Sequence, residues 1–336
     1  MSDSKRITKM SDVASDVRLV AIINSLNRRA LLAASLESLS VALKQLPFST
    51  AVVVFEAGST DGSREWLQRF QIGSPSPEVS IVVAAPDEDS SFAAGVNNGC
   101  REAILRYPSL EYLLLFETDN LVDEGEPIAL AVRLLDSHSR LGAVGFTVTK
   151  RSGEPAGFGC SFPSALQFLL GQQLTAMLRL DQPKLSAEPT FEGYTWGICD
   201  VAYTSPLLVR RAAWVQTQGM DATVFPFSDS DLDWCWRASQ TGWRIAVLQL
   251  KGVIHDNEQQ ASSWSAKRVI NFHRSRLRLL RKHLGYSGHL LKLGLLIRHV
   301  LEFVALIVGS PLLSDPRGSL RKRWLLIISV MRGYRV

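Results

Sequence analysis

A group of acidic side chains follows directly on an apolar run near the middle of the chain. The run YLLLF leads into FETDNLVDEG, residues 116–125, which contains Glu117, Asp119 and Asp123. Another acid, Glu56, ends the apolar run TAVVVFE. Such a group is either a solvent-exposed turn or a site for a cation, because carboxylate oxygens are the ligands that hard divalent metals prefer.

A second group of acids has the spacing of a helix start. In SDLDWCWRASQTG, residues 230–242, Asp231 and Asp233 lie two residues apart. A carboxylate within reach of a hydroxyl can act as a general base, whereas the alternative is a capped helix with exposed acids. His255 follows the strand-like AVLQLKGVI. A single histidine of this kind is more often structural than a ligand.

The elements that must position these residues alternate between strand and helix. Apolar runs at 17–25, 50–57, 79–85, 111–117 and 141–150 predict strands, and segments with helical spacing separate them. This order predicts an α/β fold with a mostly parallel sheet and helices on both faces. Ligands of such sheets bind beyond the carboxyl ends of the strands, and Glu56 and Glu117 both lie at such ends.

The remainder of the chain is less regular. Residues 151–200 are rich in glycine, proline and aromatic residues, which favours a mobile loop or an insert that covers the substrate. Order returns at 201–256, and a basic helix is predicted at 263–284. Two apolar segments with basic residues follow. Residues 1–16 read as a disordered lead without the apolar core of a secretory signal.

Composition excludes several classes of protein. The chain has 336 residues, 46% of them apolar, and 37 lysines and arginines against 32 acids. Its four cysteines form no CxxC pair, so neither a zinc knuckle nor a redox dithiol is indicated. No GxGxxG follows the first strand and no P-loop is present, which argues against dinucleotide and P-loop ATP chemistry. No stretch offers about 20 uncharged apolar residues.

Six short motifs occur in a characteristic order: AIINSLNR, VVVFEAGSTDGS, FAAGVNNG, LLLFETDN, SDLDWCWRASQTGWRI and VIHDN. Together they resemble the inverting glycosyltransferases of family 2, which have the Rossmann-like GT-A fold. The likeness extends from about Val17 to Gly285 and is to bacterial rhamnosyltransferase-like enzymes of surface polysaccharide synthesis. No single motif is specific, but their order and spacing are.

The resemblance implies a nucleotide-sugar donor and a set of residues that contact it. Glu56 stands where the family usually has aspartate and would bind the nucleobase or ribose. Asp61 would lie beside the nucleotide, or else cap the helix at 63–70, and Gly95 and Asn97 would approach the nucleotide or pack in the core. The implied donor-binding residues are Asn27, Glu56, Asp61, Gly95, Asn97 and Thr118.

The resemblance also implies a divalent cation, Mg²⁺ or Mn²⁺. ETD occupies the place of the family's Asp-x-Asp motif, with glutamate in the first position. Asp119 is the first candidate ligand and Glu117 the second, and His255 would complete the metal shell. Asp123 matches no family position and is interpreted as a surface residue.

On the acceptor side, Asp231 falls on the family's catalytic base, and Ser230 replaces the glutamate that usually precedes it. Asp229 would take the role if the register shifted by two residues. Asp233 would support the site, and Asp200 with Thr204 would line the acceptor pocket. In the basic helix, two arginines would meet the diphosphate or an anionic acceptor, or face solvent or lipid: Arg274 and Arg276.

The basic C-terminal part suggests an anionic partner. Apolar faces bordered by lysine, arginine and tryptophan suit a membrane surface, and the alternative is packing on the catalytic domain or in a homo-oligomer. Nucleic acid is disfavoured, because few aromatic residues are available for stacking. The predicted divisions are residues 1–16, a catalytic domain 17–262 with a nucleotide-binding half 17–150 and an acceptor half 151–262, and C-terminal helices 263–336.

The sequence therefore predicts a metal-dependent inverting glycosyltransferase. It would move a sugar from dTDP-rhamnose or a UDP-sugar to a hydroxyl of a lipid-linked or polysaccharide acceptor, at the cytoplasmic face of a bacterial plasma membrane. The alternative is a catalytically silent, membrane-docked partner of a glycan assembly complex, which the substitutions at Glu56, Glu117 and Ser230 keep open. A nucleotidyltransferase on a similar sheet is disfavoured, because this chain has no glycine-rich, lysine-bearing segment after the first strand.

Overall fold

The computed structural model describes residues 16–73, 77–85, 88–180, 185–255, 265–310 and 315–333. The lead predicted at 1–16 lies outside these ranges except for its last residue. The strands are β1 (Leu19–Ser25), β2 (Thr50–Glu56), β3 (Glu78–Val83), β4 (Tyr112–Leu115), β5 (Asn120–Val122), β6 (Leu141–Phe146), β7 (Val148–Thr149), β8 (Pro155–Gly157), β9 (Gly159–Cys160), β10 (Ser186–Ala187), β11 (Thr195–Cys199), β12 (Val201–Ala202), β13 (Leu207–Arg210), β14 (Arg244–Gln249) and β15 (Val253–His255). The helices are α1 (Arg29–Lys44), α2 (Ser63–Gly73), α3 (Phe92–Arg106), α4 (Glu126–Ser137), α5 (Ala165–Met177), α6 (Arg211–Gln216), α7 (Ser230–Gln240), α8 (Ala266–Leu284), α9 (Gly288–Val308) and α10 (Pro316–Met331).

The main sheet has nine strands in the order β10-β11-β14-β6-β13-β4-β1-β2-β3. Strands β3, β2, β1 and β4 are parallel to one another, and β14 is parallel to β6. Strand β13 runs antiparallel to both of its neighbours, β4 and β6. The start of β13 therefore lies at the carboxyl ends of β4 and β6. The predicted α/β fold with a mostly parallel sheet is confirmed.

Apolar residues fill both faces of this sheet, as continuous hydrophobic strands require. In β1, Val20 and Ile22 pack into one hydrophobic cluster with residues of α3, and Leu19, Ala21 and Ile23 pack into the other with residues of α1. Successive side chains of a strand point to opposite faces, so helices cover both sides. The carboxyl edge of the sheet is left for polar residues.

The region 151–200 is more regular than predicted. It contains α5, which begins at a capping box made by Ser164 and Gln167 and is broken at Gly171, where φ is 79°. A β-carbon at Gly171 would meet the guanidinium of Arg298, so this helix packs closely on α9. The sequence did not predict this helix, because its hydrophobic periodicity is weak on either side of the break.

The C-terminal helices form a layer with its own small core. Residues of α5, α8, α9 and α10 contribute to it: Phe168, Ile270, Leu277, Leu280, Leu291, Leu295, Leu326 and Val330. Packing on protein was one of the two predicted alternatives, and it holds for the inner side of these helices. Among the described residues, no helix has both the length and the apolar character needed to cross a membrane.

Candidate active site

A cavity of about 180 Å³ opens at the carboxyl edge of the main sheet. Glu117 enters its wall just after β4, His255 at the end of β15, and Asp231 from the first turn of α7. The antiparallel direction of β13 brings Thr204 and Ser205 to the same edge. The structure thus brings together acids that lie more than a hundred residues apart in the sequence.

Asp231 is the most strongly perturbed carboxyl group of the cavity. Its pKa is raised to about 7, because its surroundings exclude water and because the negative charges of Asp229 and Glu117 lie nearby. Its Oδ1 accepts a hydrogen bond of 2.9 Å from the backbone of Leu232. A carboxyl with a pKa near neutrality holds or accepts a proton readily, which suits a general base.

Glu117 is held by two hydroxyl groups. Thr204 and Ser205 each donate a hydrogen bond of 2.8 Å to its Oε1. The longer side chain that replaces the family's aspartate therefore reaches across to the start of β13. This contact also gives Thr204, a predicted acceptor-side residue, a defined role in fixing the cavity wall.

Asp119 does not line the cavity itself but lies beside His255, which does. Oδ1 of Asp119 is buried and accepts no hydrogen bond from any residue that the structure describes, and it lies 3.6 Å from Nδ1 of His255. That nitrogen contacts Oδ1 of Asn120 at 2.9 Å, and Arg28 approaches Oδ2 of Asp119 at 3.4 Å. A buried carboxylate oxygen without a partner is costly unless something positive completes it, so this pair fits a divalent cation.

The predicted set of three metal ligands is not assembled in the described part of the chain. There, no three histidine, cysteine or acidic side chains are grouped so that they could hold a metal ion by themselves. Asp119 and His255 are together, whereas Glu117 is turned to Thr204 and Ser205. Further oxygen ligands from substrate or water would be needed to complete the shell of a hard cation.

Helix α8 fixes the loop that leads into α7, whose first turn carries Asp231. Arg276 binds both carboxylate oxygens of Asp229, at 2.9 and 3.2 Å, and Ser275 donates to the carbonyl of Ser228 at 2.6 Å. Asp229 adopts a left-handed backbone conformation, with φ of 61°, at the start of α7. Arg276 is therefore committed to the carboxylate of Asp229 and is not free to meet a substrate.

Asp233 is fully buried and does not line the cavity; it is the common partner of three basic side chains. It accepts from Arg237 at 2.8 Å within α7, and from His283 and Lys282 of α8 at 2.8 Å each. These partners lower its pKa despite its removal from water. Asp233 thus ties α7 to α8 and holds the first turn of α7 in place.

Three predicted donor-side residues use their polar groups within the fold. The carboxylate of Glu56 accepts from the backbone of Ser59 at 2.6 Å and of Gly58 at 3.3 Å. Asn27 accepts from the backbone of Thr60 at 2.8 Å. Asp61 accepts from the backbones of Arg29 and Ser63, at 2.9 and 3.1 Å, and thereby closes the starts of two helices.

The segment of α3 that was expected near the nucleotide faces the protein. Asn97 exchanges two hydrogen bonds with the backbone of Met220, at 2.8 and 2.9 Å. A β-carbon at Gly95 would collide with the side chain of Asn24 on β1. The packing alternative thus accounts for both residues. Thr118 is buried and contacts Arg28 at 3.4 Å.

The remaining predicted residues, Asp200 and Arg274, are not part of the cavity wall. Asp200 accepts from the backbone of Phe162 at 2.9 Å. Arg274 makes no hydrogen bond or ion pair with any residue that the structure describes, and its side chain is half-buried. Neither side chain lines the cavity.

Sequence reasoning missed several residues of the site. Ser205 and Tyr203 line the cavity, but only the register of β13 against β4 reveals that Ser205 reaches Glu117. Asn120 orients His255, and Arg28 approaches Asp119. Arg28 follows directly on Asn27 in the first motif, so its position was the one available signal.

Comparison with solved structures shows a shared fold. The mannosyltransferase PcManGT of Pyrobaculum calidifontis, in complex with GDP-Man and Mn²⁺, matches with a TM-score of 0.55 and 16% identity, over 98% of this chain and 91% of its own. GalNAc-T7, with UDP, GalNAc and Mn²⁺, matches with a TM-score of 0.50 and 11% identity, over 77% of this chain. The match covers 48% of the GalNAc-T7 chain, so this chain corresponds to about half of its length.

Comparison with curated proteins gives no match. A family match, in contrast, covers most of the chain. Residues 17–274, from the start of β1 into α8, match the family described as glycosyltransferase-like family 2. The GT-A fold, the cavity at the carboxyl edge of the sheet and this match agree with one another. The chain belongs to glycosyltransferase-like family 2.

Proposed function

We propose that this protein transfers a sugar, with inversion, from a nucleotide-diphosphate donor to a hydroxyl of a glycolipid or growing polysaccharide. The observation that carries the proposal is the convergence of Glu117, Asp231 and His255 on one cavity at the carboxyl edge of a GT-A sheet. Family membership supports glycosyl transfer as the reaction. The identities of the sugar, of its nucleotide and of the acceptor belong to the proposal.

Asp231 acts as the general base in this proposal. Its carboxylate takes the proton of the acceptor hydroxyl while the oxygen bonds to the anomeric carbon, and the bond from that carbon to the diphosphate oxygen breaks on the opposite side. The raised pKa of Asp231 makes its carboxylate more basic than an exposed one. The pair of Asp229 with Arg276 keeps the loop in place, so Asp231 meets the acceptor in a fixed geometry.

Asp119 and His255 would hold a divalent cation, Mg²⁺ or Mn²⁺. When bound, the cation would neutralise the charge of the leaving diphosphate. The contact with Asn120 fixes the ring of His255, as outer partners of metal-binding histidines commonly do. Glu117 would line the acceptor side of the cation, where Thr204 and Ser205 keep its carboxylate still.

The donor side acts chiefly by shape in this proposal. Glu56, Asn27 and Asp61 fix the turn at 57–62 through backbone hydrogen bonds, and this turn would receive the nucleoside. Residues 17–150 would thus bind the nucleotide, 151–262 the acceptor, and 263–336 would form the C-terminal helices. Gly95 and Asn97 would contribute only through packing, against Asn24 and Met220 respectively.

A thermal-shift panel of nucleotide sugars tests the donor proposal. The panel contains dTDP-rhamnose, UDP-sugars and, because a structural neighbour binds it, GDP-mannose, each with and without Mn²⁺ or Mg²⁺. A ligand that binds the folded state raises the melting temperature. We expect one donor to raise the melting temperature only when the cation is present. We expect Asp119→Asn to remove this cation-dependent stabilisation. The exposed Asp123→Asn is the matched control.

The same panel separates an enzyme from a silent partner of a glycan assembly complex. An enzyme hydrolyses or transfers the sugar of the donor that stabilises it. A silent partner binds no donor in a cation-dependent way and releases no nucleoside diphosphate. If no nucleotide sugar stabilises the protein under any of these conditions, the proposed function is wrong.

A further inference from the structure

Helix α9 has its polarity reversed relative to an ordinary surface helix. Three of its five ionisable residues, Arg298, His299 and Glu302, face the neighbouring helices, whereas His289 near its start is exposed. Arg298 donates to the carbonyl of Phe168 at 3.2 Å, Glu302 pairs with Arg298 and with Arg323 of α10, and His299 is fully buried. Surface helices normally turn such residues to water and their apolar residues inward.

The outer side of α9 is an aliphatic stripe, whose members recur at intervals of three or four residues and are all exposed. Leu301 is 65% exposed and Val308 is 78% exposed. The complete stripe consists of Leu290, Leu293, Ile297, Val300, Leu301, Val304, Ile307 and Val308. A helix of this length extends about 30 Å. Contiguous apolar surface of this kind marks an interaction site.

Helix α10 continues the surface and adds charge. The rings of Phe303 on α9 and Trp324 on α10 lie 6.0 Å apart, and Trp324 is half exposed. The neighbouring Leu325 and Met331 are exposed as well. Three arginines lie exposed towards the two ends of α10: Arg317, Arg321 and Arg332. An apolar surface that is bordered by tryptophan and arginine suits the headgroup region of a bilayer.

Charge decides between a lipid surface and a second copy of the chain. From residue 265 to the end of the sequence, Glu302 and Asp315 are the only acids. Glu302 is paired with Arg298 and Arg323, and Asp315 caps α10 by accepting from the backbone of Gly318. Two copies would bring these basic helices against each other without free acids to neutralise them. An anionic lipid surface supplies the missing negative charge.

We propose that α9 lies along an anionic lipid surface with its aliphatic stripe immersed, and that α10 lies beside it with its exposed arginines at the lipid phosphates. The interaction does not depend on glycosyl transfer. Membrane binding would, however, hold the candidate active site close to a lipid-linked acceptor. Helix α8 precedes α9 and contacts the loop before α7 through Ser275 and Arg276.

Co-sedimentation of the full chain with vesicles tests the proposal. The vesicles contain phosphatidylcholine alone or phosphatidylcholine with phosphatidylglycerol. We expect the triple variant Leu293→Glu, Ile297→Glu and Leu301→Glu to bind at least about a hundredfold more weakly, because each immersed side chain contributes about tenfold or more. The matched control replaces two exposed apolar residues of α1 and α3, Val41→Glu and Leu105→Glu, and should bind as the wild type does.

A second pair of variants tests the charge. Arg317→Gln and Arg321→Gln should each weaken binding to the phosphatidylglycerol vesicles by about fivefold, with little effect on binding to phosphatidylcholine alone. Equal binding by the wild type and the triple variant would overturn the proposal. Absence of vesicle binding by the wild type would overturn it too, and a dimer that the triple variant abolishes in sedimentation equilibrium would then assign the stripe to a second copy.

Two controls keep the result interpretable. The melting temperature shows whether the triple variant is folded, and if it is not, the single variant Leu301→Glu carries the same comparison. Stabilisation by the donor should be unchanged in the triple variant, because α9 contributes no residue to the cavity. Failure of lipid binding is thereby distinguished from failure of the proposed function.

Discussion

The proposed donor side and the cavity side of the sheet edge contain similar polar residues, but these residues differ in whether the protein itself satisfies their polar atoms. On the proposed donor side, the polar atoms of Glu56 and Asn97 form hydrogen bonds with backbone groups of the protein itself. On the cavity side, no residue that the structure describes forms a hydrogen bond with Oδ1 of Asp119, and Asp231 has a pKa raised to about 7. Buried polar groups are normally satisfied.

This difference separates residues that shape the site from residues that would react. A satisfied carboxylate stabilises the fold and offers little to a substrate, whereas an unsatisfied or destabilised one gains from a ligand or a proton. The motifs of the sequence do not distinguish the two cases, because both contain acids at the ends of apolar runs. Each of the following variants tests on which side of the comparison a residue belongs.

The largest effect is expected for Asp231→Asn. An amide cannot take the proton of the acceptor, and loss of a general base typically costs about a hundredfold to ten-thousandfold in rate. Donor binding, measured by thermal shift, should be retained. The exposed Asp123→Asn is the control and should transfer at the wild-type rate. Near-normal turnover by Asp231→Asn would show that another group is the base.

Asp233→Ala should affect stability most strongly. Removal of this carboxylate leaves Arg237, Lys282 and His283 without their common partner, and breaking a buried ion pair costs about 3–5 kcal/mol. Denaturant unfolding measures the loss. The exposed pair of Arg18 with Glu111 gives the control Glu111→Ala, with a loss below about 1 kcal/mol. Equal losses in both variants would remove Asp233 from the supporting framework.

Asp119→Asn should separate activity from stability. We expect transfer to fall by about a hundredfold, because a cation contributes several kcal/mol of charge stabilisation. In the absence of cation the melting temperature should fall little, because no described residue donates a hydrogen bond to the buried Oδ1 of Asp119 and its Oδ2 has only the long contact of 3.4 Å with Arg28. Transfer assays and melting curves with and without Mn²⁺ measure both effects. A lower melting temperature without cation, together with normal transfer, would make Asp119 structural.

Glu56→Gln should show the reverse pattern. The two carboxylate oxygens now accept hydrogen bonds from the backbone N–H groups of Gly58 and Ser59, and in the variant the amide nitrogen would face one of these two donors. The loss of stability should be about 1–3 kcal/mol, whereas the exposed Glu37→Gln should be neutral. Unchanged stability with lost donor binding would place Glu56 against the nucleoside itself and move it across the comparison.

Much of the fold was predictable from sequence, and less of the site. The buried strands β1, β2 and β4 are continuous apolar runs, so their positions follow from the sequence to within two residues. The pairing of Ser205 with Glu117 depends on an antiparallel strand inserted between β4 and β6, which local patterns do not encode. The roles of Gly95 and Asn97 depend on contacts with β1 and Met220, again across the fold.

The C-terminal helices show the same limit. Their amphipathic spacing was visible in the sequence, but the spacing alone does not tell which side faces inward. Only the contacts of Arg298 and Glu302 reveal that the ionisable side of α9 is the inner one. Likewise, α5 was missed because Gly171 interrupts it with a positive φ.

The pH dependence of sugar transfer tests most directly whether Asp231 is the base. The base acts in its deprotonated form, and its pKa in the folded protein is raised to about 7. The value of kcat/KM should therefore rise about tenfold per pH unit below about pH 6 and level off above about pH 8. An acid limb with a midpoint near 7 is the predicted result. A profile that is flat from about pH 5 to 8, as for a base with the pKa of an exposed aspartate near 3.9, would contradict it.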